Sequence, residues 1–103
     1  MCEIEELQKM VIDFRDKRGW EKFHTAKNLS MSISIESSEL MELFQWHDEI
    51  SRVNRESLKD EIADIFIYLL LMAETVDIDI CEAVKNKLDK NKEKYPKSES
   101  EYI

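Results

Sequence analysis

The 103-residue chain has one glycine (Gly19), one proline (Pro96) and two cysteines, and each scarcity removes a class of protein. Tight hairpins and phosphate-cradling loops need glycine, so a Walker-type loop and a dinucleotide-binding fingerprint are excluded. Cys2 and Cys81 lie far apart and match no zinc-ligand spacing. They exclude a disulfide scaffold and read as two reduced thiols in a cytoplasmic chain. Long hydrophobic runs are missing too: the longest, residues 65–73, is far short of a bilayer span, and residues 1–8 are acidic rather than basic and then apolar. Neither a membrane anchor nor an export signal is expected. Basic residues are outnumbered, 15 against 23 acidic, for a formal net charge of -8. Such a chain repels a nucleic acid polymer, whereas a phosphorylated small molecule stays within reach if some carboxylates hold a divalent metal.

What the chain does contain is Glu, Lys, Leu, Ile and Met in quantity, the composition of an all-α protein. Its length suits one domain. The hydrophobic periodicity predicts helices over residues 3–18, 26–50, 56–76 and 80–94. Gly19 stands where a helix C-terminus favours it, Asp79 is an N-cap for the last helix, and Pro96 stops it. A single helical domain over residues 1–96 and a polar, acidic tail over 97–103 follow. Short connections favour a small bundle in which the second and third helices lie side by side. The third helix is apolar nearly all round, more than a monomer of this size would cover, so a homo-oligomer is expected.

Two pairs of acids, Glu36 with Glu39 and Glu61 with Asp64, sit at i and i+3. On a wheel of about 100° per residue, Leu29, Ile33 and Leu40 fall within about 60° of Glu36 on one side and Leu43 about 20° away on the other. Met72, Ile65 and Leu58 flank Glu61 likewise, with Tyr68 and Leu71 on its other side and Asp64 between those two. Both pairs therefore point into apolar stripes. Ionised carboxylates gathered in a core persist only with a cation or basic partners, and hard oxygen ligands select Mg²⁺, Mn²⁺ or Ca²⁺, with an oxygen-only Mg²⁺ site the better reading and Mn²⁺ a substitute. Di-iron bundles place a His three residues after Glu, and here Glu39 and Asp64 stand at those positions. The plainer alternative is a pair of ordinary solvated helix faces.

Trp20 lies in the loop after the first helix. Trp46 comes seven residues after Glu39, two turns along the same predicted helix, and Tyr68 one turn after Asp64. Each is either a flat surface on which a base can stack or ordinary packing. Lys87 and Asn91 share a face of the last helix among further lysines, an arrangement suited to phosphate oxygens or to plain solvent. His24 and His47 have no ligand spacing, and Ser37 and Ser38 have no partnered His, so a nucleophilic triad is not supported.

These residues form a text. Glu36-x-x-Glu39, 21 further residues, then Glu61-x-x-Asp64 resembles the ExxE and ExxD motif of the MazG-like all-α nucleotide pyrophosphohydrolases. The flanking segments 19–24, 27–29, 39–46, 60–69 and 87–96 are similar to the small single-domain branch to which the vertebrate dCTP pyrophosphatases belong. The resemblance implies a homotetramer of four-helix protomers in which Glu36, Glu39, Glu61 and Asp64 hold Mg²⁺ on a nucleoside triphosphate. It implies that Lys87 and Asn91 contact phosphate or sugar, that Trp20, Trp46 and Tyr68 line the base pocket, some of them across a subunit interface, and that Asn28 contacts substrate. The chain departs from that branch in having Val11 where the dCTP enzyme has a base-pocket His on the first helix, and in a shorter loop between helices two and three. Both departures bear on base preference, not on the carboxylates. The implied reaction splits a (d)NTP between its α and β phosphates into (d)NMP and pyrophosphate, in a nucleotide-pool house-cleaning role. Two rivals stay open: a helical interaction module, and a nucleotide or metal sensor without turnover.

Overall fold

The computed structural model describes residues 3–96, and the expected tail over 97–103 lies outside them. The first helix, α1 (Glu3–Lys17), opens on Glu3, Glu5 and Glu6 and closes on Arg15 and Lys17, so its charges oppose the helix dipole at both ends. It ends in a Schellman turn: the Trp20 N–H donates to the Arg15 carbonyl at 3.2 Å and the Gly19 N–H to that of Asp16 at 3.0 Å. Gly19 sits at φ +65°, a conformation that favours glycine. A single 3₁₀ turn, Glu21–Phe23, leads to α2 (Ala26–Glu42), whose N-cap Thr25 accepts the Asn28 N–H at 3.1 Å.

The expected second helix over 26–50 is too long. After Glu42 the amides of Leu43, Phe44 and Gln45 donate three residues back instead of four, which tightens and closes the helix. Beyond that point Trp46 is 81% exposed and Ile50 64% exposed, so no buried face sustains further turns. A second 3₁₀ turn, Ile50–Arg52, and the buried Val53 lead to α3 (Arg55–Thr75), capped by Asn54, which accepts the Ser57 N–H at 3.0 Å. α3 ends in a second Schellman turn at Asp77, φ 58°, a residue type that tolerates the left-handed region. Asp79 then caps α4 (Ile80–Lys94) by accepting the Glu82 N–H at 3.1 Å, as its sequence position predicts.

The described residues thus form four α-helices and no strand. α2 and α3 lie side by side as the main helix pair, and α1 packs on α3. A hydrogen bond from Gln8 Nε2 to the Leu70 carbonyl, 2.9 Å, ties α1 to α3. Leu29 of α2 and Leu70, Leu71 and Ala73 of α3 are buried together with Val53. This core is thin for a chain so rich in apolar residues. Ile35, Ile62, Val84 and Leu88 are each more than half exposed, and α4 buries none of its residues. The Cα radius of gyration is 16.3 Å, against about 13 Å for a compact domain of this length. No helix among the described residues is long and apolar enough to cross a membrane.

Candidate functional site

The pairing of α2 with α3 brings the two acidic motifs face to face. Glu36, half-buried, and Glu39, one turn on, come from α2, and half-buried Glu61 comes from α3; one carboxylate oxygen from each lies within 4.8 Å of the others. Asp64, one turn after Glu61, stands just outside this triplet, close enough that its charge acts on both Glu36 and Glu61. A hydrogen bond to Glu39 is the largest cause that pushes the Glu36 carboxyl up to about 7, followed by burial and the charges of Glu39, Asp64 and Glu61. Glu61 is also raised, first by burial and then by Glu39 and Asp64. Its Oε2 is buried without a hydrogen-bond partner. Mutually repelling carboxylates with an orphaned buried oxygen are stabilised by a hard divalent cation, so the donor set fits Mg²⁺ or Mn²⁺.

Asp64 also reaches a groove of about 650 Å³ between α1 and α3. Trp20 and Tyr68 line it, as does Val11. Most of its remaining wall is apolar, with Leu7, Phe66 and Leu71 among the lining residues. Trp20 is held edge-on to Phe14, ring centroids 5.8 Å apart. Two of the three expected aromatic residues therefore meet at one groove that begins at the carboxylates.

Trp46 does not join them. It stands in the turn after Glu42 rather than two helical turns beyond Glu39, a consequence of the early end of α2. Lys87 and Asn91 do share one face of α4, yet among the described residues they take no part in the carboxylate cluster or the groove; Lys87 borders a shallow depression with Val84 and Leu88. Asn28 works locally, its Nδ2 donating to the Phe23 carbonyl at 3.0 Å and so joining the 3₁₀ turn to α2.

Two residues at the groove escaped the sequence reasoning. Arg15 is buried, ion-paired to Asp16 (2.9 Å), Glu74 (3.1 Å) and Glu21 (3.2 Å), and lines the groove. The signal was there: Arg15 is one turn after Val11 and lies within the apolar stripe of α1, as Glu36 does in that of α2. His24, set aside for want of ligand spacing, also lines the groove, and its Nδ1 is buried without a hydrogen-bond partner.

Residues 31–103 match the MazG-like family, and the chain belongs to that family. Among curated proteins it is similar to dCTP pyrophosphatase 1 of Mus musculus, 33% identical over 100 residues, and of Homo sapiens, 34% identical. Both alignments cover 90% of this chain, which spans 59% of the length of those relatives. Among solved structures it is similar to a pyrophosphatase from Archaeoglobus fulgidus, with a TM-score of 0.85 and 45% identity over 94% of this chain and 95% of that one.

Proposed function

We propose that this protein is a divalent-metal-dependent nucleoside triphosphate pyrophosphohydrolase that splits a (d)NTP between the α and β phosphates into (d)NMP and pyrophosphate. The observation that carries the reading is the meeting of Glu36, Glu39 and Glu61 beside a groove that Asp64 shares with Trp20 and Tyr68. Membership of the MazG-like family supports it, as do the names of the relatives, dCTP pyrophosphatase and pyrophosphatase.

Glu36, Glu61 and Asp64 hold Mg²⁺, or Mn²⁺ in its place, and Glu39, the exposed member of the triplet, is a further ligand or orients the attacking water. Bound metal supplies the positive charge that an acidic chain lacks for a triphosphate and acidifies water. Trp20 and Tyr68 offer flat rings to the base along a largely apolar groove. The exposed apolar side chains of α2, α3 and α4 are covered in a homotetramer. In that assembly Trp46 reaches the base pocket of a neighbouring copy, and Asn28, Lys87 and Asn91 contact the substrate. One domain over residues 1–96 performs the reaction, in the cytoplasm, as a house-cleaning step on the nucleotide pool. A nucleic acid polymer is not a partner, because a net charge of -8 repels it.

The test is to incubate the purified protein with Mg²⁺ and each common and modified NTP and dNTP, separating monophosphate plus pyrophosphate from diphosphate plus phosphate. Pyrophosphate from a subset of nucleotides, lost in Glu61→Ala, is the expected outcome. Tight nucleotide binding with no product would overturn the reading in favour of a sensor.

A further inference from the structure

The segment between α1 and α2 carries two groove residues, Trp20 and His24, yet its 3₁₀ turn buries no side chain of its own. Besides the Asn28–Phe23 hydrogen bond and the Phe14–Trp20 ring contact, a buried cation fastens it. The Arg15 side chain is only 5% exposed and spends its nitrogens on three places: Nε on Asp16 of α1, Nη2 on Glu21 of the 3₁₀ turn, and Nη1 on Glu74 near the end of α3. The Arg15 carbonyl in addition accepts the Trp20 N–H. A guanidinium fork can serve three acids at once in fixed geometry, which an ammonium cannot. Burial first, and then the nearby Arg15 charge, lower the His24 pKa.

Resting on the nucleotide-hydrolase reading, we infer that Arg15 is a positioning residue for the nucleotide base. By clamping Glu21 to Glu74 it holds Trp20 and the unpartnered Nδ1 of His24 against the groove that Asp64 also lines. It therefore governs how tightly, and how selectively, the base is held, and leaves the step at the carboxylates alone.

Two substitutions test this. Glu21→Gln removes one exposed arm of the clamp and leaves Arg15 paired to Asp16 and Glu74. Arg15→Lys keeps the charge and loses the fork. Both are assayed for KM and kcat on each hydrolysed nucleotide, with circular dichroism to establish folding. Acrylamide quenching of Trp20 fluorescence, in a Trp46→Phe background used only for that purpose, reports the position of the segment directly. The expected result is a KM increase of about tenfold, the loss of one charge-assisted contact, with kcat within about twofold, narrower discrimination among bases, and easier quenching of Trp20. Unchanged KM and quenching in folded Glu21→Gln overturn the inference, as does a fall in kcat at constant KM. If the unsubstituted protein releases pyrophosphate from no nucleotide, the hydrolase reading fails and the base-holding role with it, while the quenching still decides whether Arg15 positions Trp20.

Discussion

Stability of the metal-free protein should fall as pH rises, and the carboxylate cluster is the cause. Glu36 has an ordinary value of 4.5 and is pushed up to about 7 in the folded chain. Between those values the folded state binds the proton that the unfolded state has released, so the slope of stability against pH is negative. The contribution is complete below pH 4.5 and is lost as the pH climbs through about 7. A shift of this size corresponds to an upper bound of about 3 kcal/mol, and solvent screening of a half-buried group brings it to about 1 kcal/mol. For a domain of this length that is a melting-temperature drop of about 4–8 °C. Glu61, raised in the same direction, adds to it. His24, whose pKa is lowered, acts with the opposite sign below its ordinary 6.5, so the informative quantity is a difference. The assay is thermal melting in EDTA from pH 5 to 8, for the unsubstituted protein and for Glu36→Gln. The substitution should flatten the decline, and Mg²⁺ should restore stability more at pH 8 than at pH 5, because metal binds the deprotonated ligands. A slope identical in Glu36→Gln, or Mg²⁺ stabilisation equal at both pH values, would refute this account of the cluster.

Further outcomes follow from other parts of the molecule. Glu39→Gln should reduce kcat by about 100-fold or more while nucleotide still binds; full activity would remove Glu39 from the chemistry. Because Val11 lines the groove, Val11→His should change the ratio of kcat/KM between cytosine and other bases by about tenfold, and an unchanged ranking would show that the base does not reach α1. Placing a charge on the exposed face of α4, as in Leu88→Glu, should lower the mass measured by light scattering if that face is covered by another copy; an unchanged mass would exclude it. Asn54→Ala should cost about 1 kcal/mol of stability through the lost N-cap of α3, measured by urea denaturation.

How much of this was legible in the residues can be judged from particular positions. Helix starts at Asp79 and after Thr25, and the end of α1 at Gly19, are local matters of capping and backbone conformation, so the sequence alone determined them. The same holds for the aim of Glu36 and Glu61, because a helical wheel records which side chains share a face before any partner is present. Whether a helix continues is not local. Residues 43–50 have enough apolar character to extend α2 on paper, but no neighbouring surface buries Trp46 or Ile50, and the backbone turns away.

Arg15 and His24 show the same division from the side of the groove. Each is unremarked in a linear reading, because what gives it a role is proximity to Glu74 and to the α3 wall of the groove, brought near only when α1 packs on α3. The amino-acid order by itself determined four helices and the inward lean of Glu36, Glu61 and Asp64, since both depend on spacing along one chain; Glu39, expected in the same stripe, stays exposed because no neighbouring helix among the described residues covers its side of α2. Only the tertiary structure decided that Glu36, Glu39 and Glu61 meet within 4.8 Å, that Asp64 lines a groove, and that a buried guanidinium lining the same groove pairs across to Glu74, because each depends on how separate helices pack against one another.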